Sequence, residues 1–165
     1  MNQSTRTIIL KLIFLAASVC YISGCVTSRA DDTLLVLENC RKETVLFSYP
    51  ANQIEQVIYH YTQSYDRGEI TEFFTLTDAG FVPVKMIFDT DSYDYHGTRY
   101  PGSKVTCADD TYIVEIPEFP AYEKIDYRVG YTIEQQMTIL TADGEYHLIF
   151  QQLGDPGDRI SLRLQ

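Results

Sequence analysis

In nearly every segment after residue 32, apolar and polar residues alternate with a period of two, and no stretch carries a helical stripe over three turns. That period places successive side chains on opposite faces of a strand, so it constrains the chain to β-structure. Ile160, Leu162 and Leu164 alternate with Arg159, Ser161 and Arg163, and Val82, Val84, Met86 and Phe88 are expected to share one face of another strand. Further strands are expected over Thr33 to Glu38, Thr44 to Tyr49, Tyr112 to Ile116, Ile125 to Val129, Gln135 to Leu140 and Glu145 to Gln152. Asp78-Ala79-Gly80, Ala142-Asp143-Gly144 and Asp155-Pro156-Gly157-Asp158 separate such runs and supply turn chemistry. The 13 tyrosines suit pleated, half-buried surfaces. The expected fold is all-β: an antiparallel β-sandwich or open barrel of about ten short strands. Residues 89–104 form the longest irregular stretch, polar and tyrosine-rich.

The first 24 residues read differently. Arg6 and Lys11 precede an apolar run from Leu12 to Ile22, and Ser23 and Gly24 stand before Cys25. A charged start, a short apolar stretch and small residues before a cut mark an export signal. The run is too short to span a bilayer, which needs about 20 residues. An aliphatic residue, two small residues and Cys resemble the bacterial lipobox, so Cys25 is expected to be lipidated and to become the first residue after cleavage. Several acyl chains anchor stably where one is marginal. Val26 and Thr27 follow, without an acidic residue, which resembles an outer-membrane address. The expected organisation is a signal peptide over 1–24, a lipidated Cys and tether over 25–32, and a single β domain over 33–165. The domain would face the periplasm.

The chain carries 13 Lys and Arg against 23 Asp and Glu, a net charge of −10. Loss of Arg6 and Lys11 with the leader makes the remainder more acidic still. Such a surface repels nucleic acid and favours a basic or neutral partner. Cys40 and Cys107 remain once Cys20 is removed and Cys25 acylated. In an oxidising compartment they are expected to form a disulfide, the alternative being two buried free thiols.

Strict alternation through Ile70-Thr71-Glu72-Phe73-Phe74-Thr75-Leu76 puts Glu72 on the core face with Ile70, Phe74 and Leu76. A buried carboxylate needs partners. On the preceding strand Tyr61 and Gln63 share one face and are positioned to donate to it. Tyr61, Gln63, Ser64 and Glu72 therefore form a candidate polar cluster, either structural or ligand-binding. Asp89-Thr90-Asp91-Ser92-Tyr93-Asp94 resembles the start of a calcium loop, but Asp94 stands where glycine is needed and Tyr100 where the closing glutamate is needed. His60, His96 and His147 are scattered, with no metal-ligand spacing. Nucleophile-elbow, phosphate-loop, zinc-protease and dinucleotide motifs are absent from the sequence. No catalytic residue, metal or cofactor is expected.

The run Tyr61-Thr62-Gln63-Ser64-Tyr65-Asp66, followed by Ile70, Glu72, Phe74 and Leu76, resembles a small bacterial family of unknown biochemical function. Its members are short exported or membrane-attached domains encoded beside TAXI-type TRAP transporters. The family pattern is Tyr-x-His-Ser-Val-Glu, a short turn, then Val-x-Glu-x-Phe-x-Ile, and Glu72 falls on its glutamate. Leu34-Leu35-Val36, Gly97 to Pro101, Tyr127-Arg128-Val129-Gly130 and Asp158 to Leu164 are similar as well. Gln63 replaces the family histidine, which favours a hydrogen-bonding role over acid–base work. The resemblance implies a non-catalytic lipoprotein, an accessory of a TRAP solute transporter, docking on the permease or on the solute-binding protein. The residues themselves leave two alternatives: an envelope protein that binds or inhibits a basic partner, and a small-ligand binder.

Overall fold

The computed structural model describes residues 32–64, 67–89, 100–131 and 133–165. The leader, Cys25, the tether before Asp32, and residues 90–99 with most of the acidic run and His96 lie outside them. The described strands are β1 (Leu34–Asn39), β2 (Thr44–Pro50), β3 (Ile54–Thr62), β4 (Glu69–Thr77), β5 (Gly80–Phe88), β6 (Lys104–Ala108), β7 (Thr111–Glu115), β8 (Lys124–Arg128), β9 (Gln135–Thr141), β10 (Gly144–Ile149) and β11 (Arg159–Leu164). One turn of α-helix, α1 (Phe150–Leu153), joins the last two.

These strands make two antiparallel sheets, ordered β2-β1-β11-β8 and β10-β9-β3-β4-β5-β7-β6. They face each other as a sandwich and do not close into a barrel. Leu35 and Leu37 from β1 and Ile160 and Leu162 from β11 meet Val57 and Tyr59 from β3, Phe74 from β4, and Met137 and Ile139 from β9. Each fully buried aliphatic or aromatic side chain of this kind contributes about 2 kcal/mol by leaving water. Tyr146 of β10 lies 5.3 Å from both Phe47 and Tyr49 of β2, sealing one seam. A backbone bridge between Phe81 and Tyr122 closes the other. A second, smaller core gathers Ile70, Met86, Phe88, Tyr100, Val114 and Ile116 under the part of the larger sheet that extends past β5.

Four expectations are corrected. Val82, Val84, Met86 and Phe88 do not share one face. Phe73 pairs with Lys85 and Phe74 with Pro83, leaving Val84 as the extra residue of a bulge. Phe81 and Pro83 are therefore buried before it, and Met86 and Phe88 after it. The strand expected to run to Gln152 ends at Ile149, where Phe150 buries its ring from α1. Lys104–Ala108 is an additional edge strand, joined to β7 by Asp109 and Asp110, both at positive φ. Its exposure along its whole length hides it from a search for alternating burial.

The fourth correction concerns the disulfide. Cys40 and Cys107 are both free thiols. Cys40 follows β1 in the smaller sheet, whereas Cys107 lies on β6 at the outer edge of the larger one. A bridge requires Cα atoms within about 7 Å, and β6 is the outermost strand of the larger sheet, two strands beyond the β5 seam with the smaller one.

Candidate functional site

The strands run between two poles. At the near pole the chain enters β1: Leu34 pairs with Pro50 and exchanges backbone hydrogen bonds with Gln165. The turns Asp78-Ala79 and Ala142-Asp143 lie at this end as well. At the far pole four connections converge and are laced by backbone bonds. Cys40 N donates to Arg159 O at 2.9 Å, Val129 N to Asp158 O at 2.9 Å, Gly157 N to Val129 O at 2.8 Å, and Thr62 N to Glu134 O at 3.0 Å.

Glu72 sits where alternation places it, 5% exposed and directly opposite Tyr59 on β3. Tyr61 donates from its hydroxyl to Glu72 Oε1 over a long 3.4 Å. Gln63 contributes its backbone to the β3–β4 turn: its N–H donates to Gly68 O at 2.8 Å, and its carbonyl accepts from Arg67 N at 3.1 Å. Ser64 is exposed and lines the far-pole cleft described below. The four predicted residues thus separate into a buried carboxylate with its tyrosine and a turn that opens on the cleft.

Gln135 organises that cleft: alternation puts it on the inward face with Met137 and Ile139, but its partners come from other strands. Its side chain is buried and uses both ends of its amide. Nε2 donates to the Tyr59 hydroxyl at 2.7 Å and to Arg128 O at 2.9 Å, while Oε1 accepts from Gly130 N at 2.6 Å. One side chain thereby ties the end of β8 and the start of β9 to the middle of β3. Tyr59 is packed by the rings of Tyr61, Tyr127 and Phe150, with centroids 5.0, 4.2 and 5.3 Å away. Burial pushes the Tyr59 phenol far above its ordinary value; the Gln135 hydrogen bond opposes this and the Glu72 charge adds to it. Gly130 has no room for a side chain, since a Cβ would lie 2.2 Å from Ile133 Cγ1.

A second polar lock holds the β1–β2 turn. The Asp158 carboxylate is fully buried and accepts from Asn39 Nδ2 at 2.9 Å, Asp155 N at 3.1 Å and Arg41 Nη1 at 3.3 Å. Asn39 Oδ1 accepts from the backbone N–H groups of Arg41 and Lys42. The Asn39 hydrogen bond, foremost, holds the Asp158 carboxyl below its usual range despite burial.

Between these locks the far pole opens into a cleft of three adjoining lobes. The first, about 460 Å³, is bounded by His60, Gln136, Gln151 and Ile149. The second, about 440 Å³, has Ser64, Arg128 and Val129, and shares Tyr131 and Ile133 with the first. The third, about 280 Å³, is lined by Cys40, Arg41, Arg128, Gly157 and Arg159. Lobes of this size admit small ligands or a partner's side chains. His60 Nδ1 lies 2.9 Å from Thr71 Oγ1, an ordinary hydrogen-bonded surface histidine. Among the described residues no group of His, Cys, Asp and Glu has metal-holding geometry. The arrangement supports recognition through hydrogen bonds, aromatic contact and positive charge. Compared with protein-family models, curated proteins and solved structures, the chain matches none.

Proposed function

We propose that this chain is a non-catalytic, lipid-anchored domain of the bacterial envelope and an accessory component of a TAXI-type TRAP solute transporter. The observation that most supports a docking role is the opposition of the two poles. The chain enters β1 at Leu34, and the cleft lies at the other end of that strand. Six residues of β1 separate them by about 20 Å. Nine peptide steps from Cys25 to Leu34 reach about 30 Å at most. An acyl group on Cys25 would hold the near pole toward the bilayer and present the cleft to the periplasm. The acidic surface as a whole disfavours close contact with anionic headgroups.

The test is crosslinking of the full-length lipoprotein in its native membranes, with mass spectrometry of what is attached. Recovery of a TRAP permease or its solute-binding protein is expected, and Tyr131→Ala at the cleft should reduce it. Recovery solely of unrelated envelope proteins, or normal solute uptake in a deletion strain, would overturn the transporter reading. Cys25→Ala should release the protein from the membrane fraction without unfolding it.

A further inference from the structure

The third lobe of the cleft is an exception to the charge of the whole chain. With 13 cationic side chains against 23 acidic ones, three arginines nevertheless line one depression of about 280 Å³, and among the described residues no carboxylate lines it. Two of them are placed against ordinary sheet pairing. Arg128 on β8 and Arg159 on β11 are direct cross-strand partners. Side chains so placed have Cβ atoms about 5 Å apart, and like charges there are destabilising. Neighbouring acids only partly answer this charge. Arg41 reaches Asp158, yet its side chain stays 73% exposed. Cys40 foremost, with Asp126 and Glu38, favours the charged Arg159, although Asp126 is also paired with Lys124 at 3.2 Å and Glu38 with Arg163 at 2.8 Å. Among the described residues, the Arg128 guanidinium enters no hydrogen bond or ion pair.

Arg128 and Gly157 also belong to the second lobe, where Tyr131 and Ile133 present apolar and aromatic surface. Positive charge therefore adjoins an apolar trough, with one arginine common to both. Guanidinium groups offer forked donors that match carboxylate and phosphate oxygens.

We propose that the far-pole cleft binds an oxyanion, carboxylate or phosphate, carried on an apolar body. The anionic head lies among Arg41, Arg128 and Arg159, and the body lies along Tyr131 and Ile133. The site does not depend on which protein docks at this pole. Such an anion bridges β8 and β11 through Arg128 and Arg159, so binding and the stability of the β8–β11 pair rise together. The same head could belong to a free small acid or to a lipid at a bilayer surface.

The probes are hexanoate, hexyl phosphate, acetate and neutral hexanol, titrated calorimetrically into the lipidated protein in phosphatidylcholine nanodiscs. Binding to vesicles of phosphatidylcholine with phosphatidylglycerol forms the second arm. Hexanoate or hexyl phosphate should bind saturably, acetate more weakly, and hexanol not at all. Arg128→Gln should weaken binding about tenfold and Arg128→Lys less, because a forked, charge-assisted contact is lost. Arg128→Gln, which removes one of two facing charges, should leave the thermal midpoint without ligand unchanged or raised, and Arg128→Lys, which keeps the charge, should leave it unchanged. Arg128-dependent binding of the free acids, or of the vesicles instead, supports the site and identifies which source supplies the head. No saturable binding in either arm, or equal binding by Arg128→Gln, overturns it.

Discussion

At the near pole, Asp78-Ala79-Gly80 and Ala142-Asp143-Gly144 reverse the chain with glycine at φ +123° and +138°. Thr141 adds a local bond, its hydroxyl donating to Gly144 O at 2.9 Å. The residues that make these turns are sequence neighbours. At the far pole, Gln135 reaches Tyr59 across 76 positions, and Asn39 reaches Asp158 across 119. There the β1–β2 turn and the β8–β9 connection are closed by buried polar side chains whose partners arrive from elsewhere in the fold. A locally made turn leaves little cavity between its own residues. Connections held apart and braced by long-range hydrogen bonds leave a cleft, and this is where the arginines and Tyr131 collect. The contrast ties binding capacity to the way a loop is stabilised.

The largest expected effect breaks the contrast, because one near-pole turn depends on distant backbone. A Cβ at Gly80 would lie 2.2 Å from Tyr122 O, at a φ that other residues rarely adopt. Gly80→Ala should cost about 3 kcal/mol in urea denaturation by disrupting the Phe81–Tyr122 bridge. A cost under about 1 kcal/mol would mean that the seam is soft.

Next comes Gln135→Ala, which leaves the Tyr59 hydroxyl, Gly130 N–H and Arg128 carbonyl without this partner. A cost of about 2 kcal/mol is expected, with faster amide exchange confined to residues 128–135. Exchange that rises equally at both poles would show that Gln135 is merely a core residue.

Acid sharpens the comparison. The Asp158 carboxyl has a folded value below its unfolded one, near 4. Its contribution is therefore fully present above pH 4 and is lost as pH falls through the lower folded value. NMR shifts of residues 39–42 and 154–158 should change in that window while those of the 142–144 turn stay constant. Asp158→Asn should remove this titration.

The smallest effect is expected from Asp143→Ala. The 2.9 Å bond from the Tyr49 hydroxyl to Asp143 is exposed, so stability should change by no more than about 0.5 kcal/mol. A larger loss would show that the near pole also relies on side-chain closure.

Period-two alternation was enough to identify the β class, most strands and the inward side of Glu72, because burial on one face is written every second residue. The three-residue turns were legible for the same local reason: glycine supplies the positive φ that they need. The bulge at Val84 was not, since an extra residue is defined by the partner strand. Nor was the fate of the cysteines, because Cys40 and Cys107 are assigned to layers only by sheet order. The cleft was legible only at its margin. Ser64 reaches it, whereas Gln135, Arg128 and Arg159 appear in the sequence as ordinary polar members of alternating strands. Their meaning depends on which carbonyl, hydroxyl or like charge stands opposite. A sequence determines which face of a strand each residue occupies, through a repeat of two. Only tertiary structure decides what each residue meets there, because register and sheet order join positions that lie many tens of residues apart.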